Sequence, residues 1–72
     1  MDDNDFYLMK KYIPKEHWED LMFMGYSNNI ALYKHFMTRM YINVDTEGNF
    51  YQSNGRNYYI IDREYALGYV IS

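Results

Sequence analysis

A chain of 72 residues without a single cysteine cannot staple itself, so burial in one small core, or against a partner, has to hold it together. A domain of roughly 60 residues hides only about 60% of the surface its unfolded chain exposes. That leaves room for one domain over residues 1–72 and no second one. The supply for its core is aromatic: ten tyrosines, four phenylalanines and Trp18 bring large buried area at low rotamer entropy. No apolar run approaches the roughly 18 residues of a membrane span. The start, Met1-Asp2-Asp3-Asn4-Asp5, lacks the basic residues of a secretory leader. The expectation is a cytoplasmic protein with no membrane partner.

The hydrophobic period divides the chain near Met40, with a helical half over about residues 3–40 and a β half over about 41–72. Asp3 to Asp5 offer caps for a first helix in which Phe6, Met9 and Ile13 recur at helical spacing up to Pro14. Pro14 suits the first turn of a second helix, and Gly25 its stop. On that wheel Trp18, Leu21 and Met22 share the buried side, and Phe23 falls opposite, with Glu16 and Glu19. Ser27 caps a third helix from Asn28 to Met40, with Ile30, Leu32, Tyr33, Phe36, Met37 and Met40 inward and Ala31, Lys34, His35, Thr38 and Arg39 outward. Beyond Met40 the spacing turns to two, with Ile42 and Val44 alternating with Tyr41 and Asn43. A turn at 46–49, a strand at 50–53 and a two-residue hairpin at Asn54-Gly55 follow, which pairs Tyr51 with Tyr58 and Phe50 with Tyr59. Residues 62–68 fit either a helical turn or a strand start, and 69–71 read as a last strand. The predicted class is α+β, with two or three N-terminal helices packed on a C-terminal antiparallel meander of three or four strands.

The formal net charge is −3, whereas polyanion binders are as a rule basic. Six acids and three lysines fall in residues 1–24, while residues 25–44 carry only Lys34 and Arg39. Glu16, Glu19 and Asp20 around Phe23, extended by Asp2, Asp3 and Asp5, form the first candidate interface, because an aromatic ringed by carboxylates suits a partner better than water. The same acids near helix N-termini also stabilise the dipole without any partner. Tyr41, Tyr51 and Tyr58, expected on one sheet face, form the second candidate. Catalytic signals are missing: there is no Gly-rich phosphate loop, nucleophile elbow or thiol. His17 and His35 lie eighteen residues apart, and His17 with Asp20 reads as a surface ion pair rather than a metal site. No enzyme, metal or cofactor is expected.

Two helices, a short connection and a hairpin over residues 14–62 resemble a winged helix-turn-helix, by pattern and not by motif. The resemblance implies that Asn28 and Asn29 meet base edges while Lys34, His35 and Arg39 meet phosphates, making a DNA-binding regulator the alternative expectation. The leading expectation is a stoichiometric protein-binding inhibitor or adaptor that occludes a surface of a larger protein, a nucleic-acid-binding one included. A second copy of the chain is a further candidate partner. Tyr, Asn, Ile, Met, Lys and Phe make up about half of the chain and alanine appears twice, the bias of an AT-rich genome. It points to a low-GC bacterium or its phage, and so to a phage-encoded anti-defence factor, anti-CRISPR-like for example, or a host-takeover factor in the host cytoplasm.

Overall fold

The computed structural model describes the backbone of residues 3–71 and the side chains of residues 5–70. Five strands, β1 (Leu21–Ser27), β2 (Ile30–His35), β3 (Tyr41–Asp45), β4 (Phe50–Ser53) and β5 (Tyr58–Ile61), form one antiparallel sheet in chain order. A 3-10 turn (Asp3–Phe6), helix α1 (Tyr7–Tyr12) and a 3-10 segment (Lys15–Asp20) precede the sheet, and helix α2 (Arg63–Ile71) follows it. The class is α+β, but the expected arrangement of two or three helices on three or four strands is overturned. The second and third expected helices are instead a 3-10 segment and the first hairpin of the sheet, and the expected last strand is α2.

The reason lies in pairing. In β2 the inward residues are Ala31, Tyr33 and His35, all buried, with Leu32 and Lys34 between them half-exposed. Ile30, Leu32, Tyr33 and Phe36 also fit a helical stripe, and a short run with apolar residues on both faces satisfies either period. The Asn28-Asn29 turn decides, with Asn28 at φ 57° closing β1 on β2 through the Ser27↔Ile30 pair. Gly25 does not stop a helix; it takes φ 124° at a bulge between Phe23 and Leu32's partner position in β1. Nothing lies within 4 Å of where its Cβ would stand, so the backbone conformation alone calls for glycine there.

In the second half the strands fall where the alternation puts them, but one register differs. Asn54 accepts from the backbone N–H groups of Arg56 and Asn57 and closes a four-residue turn. The pairs are therefore Ser53↔Tyr58 and Tyr51↔Ile60, rather than Tyr51 with Tyr58. A shift of two positions preserves the faces, so Tyr51 and Tyr58 still stand on the same side.

All the helical pieces cover one face. Leu8 and Met9 of α1, Ile13, and Ala66 and Val70 of α2 pack with Leu21, Tyr33, Ile42, Val44 and Phe50 into one buried cluster, to which Trp18 and Phe23 add half-buried rings. Side-chain hydrogen bonds tie the pieces down: locally the Trp18 indole to the Ile13 carbonyl, and over long range the Tyr33 hydroxyl to the Asp5 carbonyl, the Tyr12 hydroxyl to the Thr46 carbonyl and the Arg63 guanidinium to the Tyr12 carbonyl. Tyr12 lies so close over the β3–β4 turn that a Cβ on Gly48 would stand 2.6 Å from its ring.

Candidate binding face and cleft

Strand alternation places Met22, Leu32, Lys34, Tyr41, Asn43, Asp45, Tyr51, Tyr58 and Ile60 on the face opposite the core. Among the described residues no helix lies on this face. Tyr41, Met22 and Ile60 expose 43%, 42% and 63% of their surface, while Tyr51 is half-buried. Lys34 sits 5.9 Å above the Tyr41 ring.

The carboxylate on this face is not available to a partner. Asp45 is buried; its Oδ1 accepts from the N–H groups of Glu47 and Asn49, and its Oδ2 from the Tyr51 hydroxyl at 2.8 Å and the Asn49 amide at 3.3 Å. Burial alone would push this carboxyl up, but the four donors outweigh it and hold the group below its ordinary value. The Tyr51 hydroxyl is pushed up by its bond to Asp45 and by burial. Among the described strand residues of this face the other charged side chain is Lys34, while the exposed Glu47 carboxylate of the β3–β4 turn lies near enough to act on the Tyr51 hydroxyl.

A cleft opens at one end. β3 and β4 pair only at Asn43↔Tyr51 and Val44↔Phe50, so towards Tyr41 and Ser53 the ladder ends and the strands part. The gap holds a cleft of about 450 Å³ with Tyr41 and Asn43 on one side, Ser53 and Tyr58 on the other, Arg39 from the β2–β3 loop and Tyr69 from α2. Asn43 is 3% exposed, and its amide nitrogen donates to the Tyr51 carbonyl while its Oδ1 has no hydrogen-bond partner. Because a carbonyl cannot face another carbonyl, that bond fixes which end of the amide is free.

Arg39 stands at φ 62°, a left-handed conformation that costs a non-glycine residue about 1 kcal/mol or more. The loop that holds it there is built on His35. His35 Nδ1 accepts from the N–H groups of Met37 and Thr38, its carbonyl accepts from Arg39, and the Thr38 hydroxyl donates to the Val70 carbonyl of α2. The histidine proton therefore sits on Nε2 in the neutral ring.

The expected site residues divide sharply. Tyr41, Tyr51 and Tyr58 do share one face. Phe23 is not exposed opposite a buried stripe: its ring packs against Phe6, Tyr26 and Tyr33 at centroid distances of 6.2, 5.1 and 5.8 Å, because in a strand Leu21 and Phe23 point the same way. Met22, expected inside, is outside. Glu16 and Glu19 are exposed and Asp20 half-buried on the helical side; His17 lies 3.9 Å from Glu16 rather than beside Asp20. Asp2 lies outside the described residues, as does the Asp3 side chain.

The recognition helix of a winged helix-turn-helix does not exist, since residues 30–35 are β2. Asn28 and Asn29 turn at one end of that strand, Arg39 lies beyond its other end, and His35 is buried between. Asn43 and Tyr69 were not expected in a site. A polar amide between Ile42 and Val44, within the most β-prone run of the chain, was the available signal for the first. Tyr69 became a cleft residue only through the docking of α2.

Among the described residues no three His, Asp or Glu side chains gather to hold a metal, and no helix is long and apolar enough to cross a membrane. Comparisons with protein-family models, with curated proteins and with solved structures find no match.

Proposed function

We propose that the chain is a stoichiometric binding module that engages a larger protein through its open sheet face and acts by occluding the surface it covers. The observation that carries this reading is the convergence of Tyr41, Tyr51 and Tyr58 with Met22, Leu32 and Ile60 on the face without helices. Interface centres are rich in tyrosine and methionine and poor in charge, and this face matches that composition. Its rim cations, Lys34 and Arg39, fit a partner with acidic groups around an apolar patch. A nucleic-acid strand fits less well: two phosphate contacts give a salt slope of only about −2, against the 6 to 10 contacts of a strong binder.

A photo-reactive amino acid at position 58, compared with one at position 19, tests this in a nuclease-treated lysate of a low-GC bacterium. The expected result is an adduct to one protein from position 58 only. The purified pair should then form a 1:1 complex that Ile60→Asp with Tyr41→Ala disrupts without lowering the melting temperature. Adducts formed only with the chain itself, adducts lost on nuclease treatment, or equal yields from both positions would each refute the reading.

A further inference from the structure

The cleft between β3 and β4 shares Tyr41 and Tyr58 with the open face but adds a chemistry of its own. Its volume of about 450 Å³ falls in the usual range of small-molecule sites, roughly 300–1,000 Å³. Three features define what fits. Tyr41, Tyr58 and Tyr69 offer aromatic surface, each between 36% and 43% exposed, and so favour a planar ring. Among the described residues that line the cleft, Arg39 is the one cation and none is a carboxylate, and a guanidinium matches a phosphate group in a forked geometry. The third feature is the free acceptor of Asn43, buried and oriented by its own bond to the Tyr51 carbonyl. Buried acceptors are almost always satisfied, so this one calls for a donor brought from outside.

From the parted strands, the orphaned Asn43 carbonyl and Arg39 at the same cleft, we infer that the cleft binds a nucleotide whose base carries an exocyclic amino group. The base lies among the tyrosines with its amine donating to Asn43 Oδ1, and the phosphate meets Arg39. The inference goes beyond the protein-binding reading and does not rest on it. The same chemistry is supplied by a free mononucleotide and by one unit of a single strand.

Calorimetric titration of the full chain with AMP, adenosine, N6,N6-dimethyl-AMP, inorganic phosphate and a short oligo-dA tests it. AMP is expected to bind at one site, with dimethyl-AMP weaker by about tenfold or more for the lost hydrogen bond, and adenosine weaker by a similar factor. Arg39→Gly keeps the fold, because glycine accepts φ 62° without strain, and should erase the difference between AMP and adenosine. Asn43→Leu should erase the difference between AMP and its dimethyl form. Oligo-dA binding more than tenfold tighter than AMP assigns the site to a strand, and equal or weaker binding assigns it to the free nucleotide. No AMP binding at millimolar concentration, phosphate binding as well as AMP, or dimethyl-AMP binding equally would overturn the inference.

Discussion

Replacing Asp45 by asparagine separates the two oxygens of one buried carboxylate. The asparagine carbonyl can take the place of Oδ1 and keep both backbone donors, Glu47 and Asn49, each at 2.9 Å. Its NH2 cannot accept from the Tyr51 hydroxyl or the Asn49 amide, which Oδ2 now receives. Hydrogen bonds to a charged acceptor contribute about 1.5 to 3 kcal/mol each, and the Asn49 amide bond at 3.3 Å is the weaker of the pair. Asp45→Asn should therefore cost about 2 to 3 kcal/mol, and Asp45→Ala about 4, because it also strands two turn N–H groups. The charge adds a pH signature. A carboxyl held below its unfolded value contributes stability that is fully present above that value and is lost as pH falls through the folded one. The gap between wild type and Asp45→Asn should thus be full at pH 7 and close below about pH 4. Urea unfolding followed by Trp18 fluorescence at pH 7, 5 and 3 measures it. Equal losses for the two variants, or a gap that does not change with pH, would show that Oδ2 does not hold the turn as a carboxylate.

Three further outcomes follow from the packing. Phe23→Ala should destabilise the isolated domain by about 3 kcal/mol in thermal or urea unfolding, and an unchanged stability would return this ring to the surface. The Tyr33 hydroxyl is pushed up to about 12 by burial; since the unfolded chain ionises first, stability should fall between about pH 10 and 12 by about 3 kcal/mol. Tyr33→Phe should flatten that part of the pH profile. Asn43→Leu should raise stability or leave it level, because it removes a buried orphan acceptor; a loss of more than about 2 kcal/mol would mean that its bond to the Tyr51 carbonyl outweighs the orphan.

Residues 41–61 were legible because their period is unambiguous: Ile42 and Val44 point in, Tyr41 points out, and the glycine at position 48 marks its turn. The single error there, the β4–β5 register, arose from the Asn54 side chain. By accepting two backbone N–H groups it favours a four-residue turn over the two-residue one that Asn-Gly otherwise signals. Residues 15–40 were not legible in the same way. Leu21, Met22 and Met24 are good helix formers, so local propensity and tertiary pairing disagreed in β1, and pairing with β2 won. The shared face of Tyr41, Tyr51 and Tyr58 survived the register error because the shift was even. The cleft was not readable at all, since it depends on where the β3–β4 ladder ends and on α2 bringing Tyr69 beneath it.

The distribution of local costs bears on which part of the surface is functional. A domain of this size is stable by about 4 to 11 kcal/mol, at roughly 0.05–0.15 kcal/mol per residue. Against that margin, one orphaned buried carbonyl at about 1 to 3 kcal/mol and one left-handed arginine at about 1 kcal/mol or more are large. Elsewhere the fold satisfies its buried polar groups closely: Asp45 takes four donors, His35 takes two, and the Trp18 and Tyr33 polar tips both find carbonyls. Asn43 breaks that pattern, and it does so at the cleft where Arg39 holds its left-handed backbone. A leucine at 43 and a glycine at 39 would serve the sheet and the loop as well or better. The fold therefore accounts neither for the free Asn43 carbonyl nor for arginine at 39, and the proposed nucleotide would meet both.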